Sequence, residues 1–446
     1  CVTMLDDRLS PEVRARVQCA FREKVFRPVY RCLEETKPFW WFTATNNWNS
    51  VCLAGVTGAA LALLPDKEER AYFVAAAEKY NVYGMKGYAD DGYCSEGVGY
   101  YNYGFRAYIL LREEVYRATQ GKIDFFQTPK FVRIARYGKC PAYSDCRMGL
   151  SPDRFILSYC DRALGITSAE EQPVLPKGNN LSLHLLELFT SQVAKVGMTD
   201  GIRQVLQEES DALRAYYEQA GILIARPAGG TSCRLAISAK GGTNAENHNH
   251  NDVGSYAVAL GSETMVGDQG GPNSYPGDYF NGDAPQKYKI KGSFGHPVPV
   301  VDGRTQSSGG KAKGVVLQKE FTNEKDVFSI DYTSAYSTPN LDKLIRTFVY
   351  DRQGKGNFTV GDEFTAKTPI RFETAITTRA DWKVLDDTHL LLATDSEQMI
   401  VAIDASGKVA FTSETIEVNS PAYTRIGIAL KNQSKEGYIR LKMYTK

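Results

Sequence analysis

The hydrophobic period of the chain changes once, near Gly221, and that change restricts the fold more than any other feature. Before it, apolar residues recur at helical spacing. Ser10-Pro11-Glu12 reads as a helix start, with Ser10 as the cap and proline in the first turn. Helical runs are expected over 13–33, 51–64, 67–80, 100–119, 130–137, 152–164, 181–196 and 201–220. Many helices with short polar connections predict stacked helical hairpins or a toroid, and no strict repeat marks a regular solenoid. After Gly221 the period falls to about two. Strands are expected over 232–239, 253–260, 315–321, 327–332, 344–350, 371–377, 390–394, 400–403 and 425–429, separated by Gly, Asn and Asp turns. The expectation is an α+β protein: a helical domain over 1–220 and an antiparallel β-sandwich domain over 221–446, hinged at Pro227-Ala228-Gly229-Gly230.

Composition narrows the function classes. With 446 residues, two domains are the natural expectation, and 43% apolar with 24% charged residues describes a globular chain. The net charge of +1 supplies no global field for a nucleic acid, so an acidic ligand must be held locally. No apolar run reaches the length of a membrane span, and no signal peptide is visible. Eight of the nine cysteines precede residue 161 and make no paired metal motif. Cys140 and Cys146 are spaced for a small loop disulfide, and buried free thiols are expected elsewhere.

Asn247-His248-Asn249-His250-Asn251-Asp252 holds two of the five histidines. On an extended strand, His248 and His250 would share a face, with Asp252 beside them. Asp268, in Gly267-Asp268-Gln269-Gly270-Gly271, stands at the end of a second apolar run, and His296 precedes Pro297-Val298-Pro299. Two imidazoles and a carboxylate make a plausible zinc set, the bland alternative being a satisfied polar cluster. In the helical half, Thr45-Asn46-Asn47-Trp48-Asn49 is either a capping network or a set of amides with a sugar-stacking ring. Residues 90–104, from Asp90 to Gly104, are dense in Gly, acid and Tyr. Lys287, Lys289 and Lys291 would align on an extended chain, as a solvated edge strand or an anion patch to which Arg304 and Gln306 could contribute. His184 and His389 read as structural.

These motifs together resemble the heparinase II/III family of polysaccharide lyases: NNWN, DGxxxEGxxYYxYG, HNHND, a GDxGG strand end, and His296 before VPVVDG. The resemblance runs over about residues 5 to 310. It implies an incomplete α/α toroid followed by antiparallel sheet layers, and a chain trimmed upstream of Cys1. It also implies a periplasmic or secreted bacterial enzyme whose partner is an anionic polysaccharide. By motif position, Asn47 matches the asparagine that neutralises the uronate carboxylate. Tyr101 matches the tyrosine at the leaving oxygen, with Tyr100 and Tyr103 as alternative registers, and His248 matches the catalytic histidine. His250, Asp268 and His296 match the ligands of one divalent metal, zinc before manganese. Asn46, Trp48, Glu96, Tyr100, Tyr103, Asn249 and Arg304 are the substrate-contact candidates. One departure stands out: several members carry histidine where this chain has Trp48. The implied reaction is β-elimination on a uronan, glycosaminoglycans such as heparan sulfate first. The rival readings are an alginate lyase on the same scaffold, a glycoside hydrolase using Asp91 and Glu96, and a non-catalytic glycan binder.

Overall fold

A computed structural model describes residues 8–137, 143, 151–166, 193–207, 213–272, 274–418 and 420–446. The chain divides into two compact units. One comprises residues 1–94, 98–139 and 151–208, and the other 95–97, 140–150 and 209–446.

The first unit is helical. Helices α1 (Pro11–Phe21) and α2 (Arg27–Glu34) run on through a π-turn over Arg22–Phe26. Pro28 has no N–H to donate, and the wider turn, closed by Arg27 N to Arg22 O, accommodates the lost bond. Then come α3 (Asn47–Leu63), α4 (Lys67–Met85), α5 (Gly97–Ala118), α6 (Pro129–Ala135) and α7 (Arg154–Leu164). Capping oxygens fix most starts: Ser10 for α1, Asn46 for α3, Asp66 for α4, Thr128 for α6 and Asp153 for α7. Gly165 ends α7 at φ +68°, where a side chain would be strained. Leu53, Ala60, Phe73, Ala77, Leu111 and Val115 build the core of α3, α4 and α5.

Two expectations for this unit need correction. A last helix covers only Asp200–Gln207, because Arg214–Tyr217 is a strand paired with Ile222–Ala225. The β-structure therefore begins ahead of Gly221. The helix expected over 181–196 lies outside the described residues up to 192, and 193–199 is not helical. His184 and the Cys140–Cys146 pair also lie outside them. Cys19, Cys32, Cys52, Cys94, Cys160 and Cys233 are free thiols.

The second unit is antiparallel β. Its strands are β1 (Arg214–Tyr217), β2 (Ile222–Ala225), β3 (Leu235–Lys240), β4 (Thr243–Asn244), β5 (Tyr256–Leu260), β6 (Glu263–Val266), β7 (Val300–Val301), β8 (Gly309–Lys313), β9 (Val315–Phe321) and β10 (Lys325–Asp331). After these come β11 (Leu341–Asp351), β12 (Asn357–Ile370), β13 (Phe372–Thr378), β14 (Asp381–Asp386), β15 (His389–Ala393), β16 (Gln398–Ala405), β17 (Val409–Val418), β18 (Ser420–Leu430) and β19 (Ser434–Thr445). They form sheets of five strands (β1-β2-β3-β5-β6), eight (β14-β15-β16-β19-β12-β11-β10-β9), four (β17-β18-β13-β7) and two (β4-β8). Facing pairs such as Phe348↔Val360 and Tyr350↔Phe358 feed one apolar core shared by these sheets. Within it Arg346, fully buried, makes a forked pair with Asp362 at 2.7 Å. Its third nitrogen donates to the carbonyls of Gly254 and Pro297, both at 2.7 Å. One core side chain thereby ties down the two loops that carry the histidines.

Candidate active site

In the helical unit the candidate residues start at the cap of α3. Asn46 Oδ1 accepts from Trp48 N at 3.1 Å, so Asn46 is a capping residue first. Asn49 is fully buried; its Nδ2 lies 3.2, 2.8 and 3.1 Å from the carbonyls of Trp41, Phe42 and Tyr80, and its Oδ1 accepts from Gly84 N. Two of the three asparagines, Asn46 and Asn49, are thus structural, and Trp48 is exposed.

Asn47 is the first residue of α3 and lies against α5 at Gly104. A Cβ on Gly104 would stand 2.9 Å from Asn47 Cβ and 3.8 Å from the Tyr88 hydroxyl. Only glycine permits that approach. Tyr100 and Tyr101 lie four and three residues before Gly104, on the same stretch of helix surface. Tyr101 is fully buried, edge-on to Tyr88 at 6.5 Å and stacked on Phe105 at 5.3 Å. Tyr100 is partly buried and Tyr103 is 55% exposed. Asp91 caps its own turn, Oδ1 accepting from Tyr93 N at 3.1 Å.

The β part departs from expectation in one important way. His248 and His250 do not share a strand face, because β5 begins only at Tyr256. His248 takes a left-handed backbone, φ +53°, and the two rings have different neighbours. His248 Nε2 lies 3.5 Å from the buried Glu96 carboxylate, and its ring meets Phe280 edge-on at 5.3 Å. Glu96 is therefore a partner of His248. Asp252 pairs with buried Lys240 at 2.5 Å and adds to the pull that raises His296. Asn249 sits partly buried between the two histidines.

His250, Asp268 and His296 are buried and come together, each offering a ligand atom within 4.8 Å of the others. His296 Nδ1 donates to Asp268 Oδ2 at 2.8 Å and its Nε2 donates to Ile290 O at 2.9 Å. Burial opposes both charges, but each group's partner outweighs it. Asp268 is held down at about 2 by His296, and His296 is raised above its ordinary value by Asp268. Ser255 Oγ and Gly270 N also donate to Asp268. The Tyr279 hydroxyl lies 3.1 Å from His250 Nε2. This donor set fits a metal. With Nε2–H of His296 committed to Ile290, Nδ1 would hold the ion beside Asp268 Oδ2, and Tyr279 and Ile290 would orient the two rings.

The lysine patch is overturned. Ala284–Lys287 is a helical turn, Lys287 pairs with Asp278, Lys289 pairs with Glu414, and Lys291 is buried with Nζ donating to Tyr279 O at 2.8 Å. Gln306 is buried too, bonded through its side chain to Asn244 and to both the N–H and the carbonyl of Val253. Arg304 remains exposed and donates to Ser337 O at 3.2 Å. His389 pairs with Asp386 at 3.0 Å on the surface. The sequence reading missed Gly104 and Tyr279, and it placed Lys291 on an open lysine face although it is buried. Gly104 stood inside a recognised motif, whereas nothing local marked Tyr279.

No protein-family model and no curated protein sequence matches the chain. Solved structures do. A crystal structure of heparinase III matches with a TM-score of 0.63 at 14% identity, over 90% of this chain and 61% of that one. The heparan sulfate lyase HepC from Pedobacter heparinus matches with a TM-score of 0.61 at 13% identity, over 90% of this chain and 60% of that one. This chain has a heparinase III-like fold. Helices first and antiparallel sheets after them follow the order of that fold, and the chain spans about three fifths of the length of those two structures. Among the described residues, no helix is long and apolar enough to cross a membrane.

Proposed function

We propose that the protein is a polysaccharide lyase that cleaves a uronic-acid-containing glycan by β-elimination. The observation that carries the proposal is His248, outside the buried His250–Asp268–His296 group and set beside Glu96. The heparinase III-like fold supports it, and because the similar structures include a heparan sulfate lyase, glycosaminoglycans come first as substrate.

Elimination removes the proton on carbon 5 of the uronate and expels the oxygen on carbon 4. Asn47 donates its amide to the carboxylate, and that bond strengthens as enolate charge develops. His248 takes the carbon 5 proton, with Glu96 holding the ring and favouring the imidazolium that forms. Tyr101 returns a proton to the leaving oxygen. Asn47→Ala accordingly lowers turnover more than binding. His250, Asp268 and His296 hold one divalent ion, zinc by the preference of two imidazoles and a carboxylate. Holding an ion there, these three residues would fix the loop that presents His248. In the hydrolase reading Asp91 and Glu96 act as an acid pair, but Asp91 caps a turn and Glu96 faces His248.

The test is a panel of heparan sulfate, heparin, chondroitin sulfate, hyaluronan and alginate, followed by ultraviolet absorbance of the unsaturated uronate. Absorbance should rise on at least one glycosaminoglycan. A rise on alginate alone moves the substrate, and new reducing ends without absorbance on any of them defeat the lyase reading.

A further inference from the structure

Three of the four tryptophans fall between residues 40 and 48, and two of them face solvent: Trp40 is 61% exposed and Trp48 52%. Indoles carry a large apolar surface, and a pair left open to water invites a ligand. These two meet edge to face, with ring centroids 5.3 Å apart at 62°. The pair therefore presents one flat indole face with a second ring as a wall.

The scaffold below them is stiff. Trp41 stacks on Phe42 at 3.9 Å, and Phe42 is buried against Tyr80 at 4.8 Å. Buried Asn49 binds the carbonyls of Trp41 and Phe42 on one side of Trp40 and the carbonyl of Tyr80 on α4. Thr43 N closes the turn onto Trp40 O at 3.2 Å, and Asn46 Oδ1 holds Trp48 N. A Cβ on Gly87 would stand 2.4 Å from Thr45 O, so this loop also rests directly on the backbone after α4. Rings held this way lose little freedom when something stacks on them, which favours binding.

We infer that Trp40 and Trp48 form a stacking subsite for a pyranose ring of the glycan, next to the residue that takes the uronate carboxylate. The inference rests on the lyase reading, since it places Asn47 at the cleavage point. The occupant follows from continuity: Trp48 is the residue after Asn47 on the first turn of α3. It also follows from charge, because residues 39–49 include no acid to repel a polyanion. A pyranose offers its C–H face to an indole while its hydroxyls stay in water. An apolar peptide segment or a second copy of this chain would need more continuous apolar surface than one ring and one wall.

The experiment uses the whole chain, the variants Trp40→Ala and Trp40→Phe, and size-defined oligosaccharides of the uronan that the wild type cleaves best. The subsite lies beyond the cleaved linkage, so Trp40→Ala should raise KM about tenfold on the longer oligosaccharides and leave it unchanged on the shortest cleaved one. Trp40→Phe should recover most of the loss. Equal KM for Trp40→Ala and wild type at every length overturns the inference. So does sedimentation showing that Trp40→Ala turns a dimer into a monomer, which would assign the patch to a second copy. If the wild type gives no unsaturated product on any uronan, the lyase reading fails by itself. Electrophoresis through gels containing each glycan still decides the subsite: retardation lost in Trp40→Ala supports it, and retardation kept, or absent from the wild type, overturns it.

Discussion

Two acids away from bulk water, one in each unit, have met opposite fates. Glu114 on α5 lies over Gly58 of α3, and its Oε2 has no hydrogen-bond partner among the described residues. Burial alone pushes its carboxyl well above the ordinary range. Asp268 is buried more completely, yet His296 holds it down at about 2. The difference separates two ways of building. The β unit buries charges with partners in hand, as Asp268 with His296, Asp252 with Lys240 and Asp362 with Arg346. Such groups are costly to break, and they fix geometry. The helical unit packs by close backbone approach around Asn47 and leaves Tyr103, Trp40 and Trp48 facing outward, and deeper in it Arg112 is buried with Asp124 and Glu113. In the proposed reaction the His250–Asp268–His296 group supports the loop that carries His248, while Asn47, Tyr101 and His248 act on the glycan.

Breaking the support should give the largest effect. His250→Ala should abolish stoichiometric metal, lower stability by roughly 3 kcal/mol or more, and take turnover with it. Elemental analysis and a thermal melt check it. Protein with no stoichiometric metal in the wild type would remove the metal from the account. Next is the phenol. Tyr101→Phe should cut kcat about a hundredfold with the melting temperature unchanged, since the ring packing is kept. Tyr100→Phe and Tyr103→Phe are the controls. Full activity in Tyr101→Phe with loss in either control would move the proton donor to that position.

Smaller effects sharpen the helical side. Gly104→Ala puts a methyl within 2.9 Å of Asn47 Cβ, so it should cost about 1–3 kcal/mol of stability, as overpacking does. It should also lower kcat by displacing Asn47, measured by denaturant unfolding and initial rates. The smallest effect belongs to Glu114→Gln. A carboxyl whose folded pKa is raised contributes stability below its unfolded pKa and loses it as pH rises through the folded value. Glu114→Gln should therefore gain on the wild type as pH goes from acid to alkaline. A difference that stays flat with pH would mean that Glu114 is not held neutral.

The sequence disclosed the order of the fold because the change from helical to two-residue spacing survives local noise. β9 was legible to the residue, since Val315–Phe321 is bounded by turns. β12, β17 and β19 were not, because their solvent faces carry Lys, Glu, Ser and Thr that blur the alternation. In the site, chain order sufficed to pick out His250, Asp268 and His296, whose side chains do converge. Local geometry did not follow. A left-handed His248 cannot be anticipated from i, i+2 spacing, and the alternating lysines carried no sign that 284–287 would coil. Tyr279 reaches His250 across 29 residues, a contact that only folding creates.

The central claim is elimination, and the mass of the products tests it most directly. Digests of the best-cleaved glycosaminoglycan should yield fragments whose new non-reducing ends lack the elements of water relative to hydrolysis products. Tyr101→Phe should form the same fragments about a hundredfold more slowly. Fragments that carry the elements of water at every new end would contradict the account and make the protein a hydrolase.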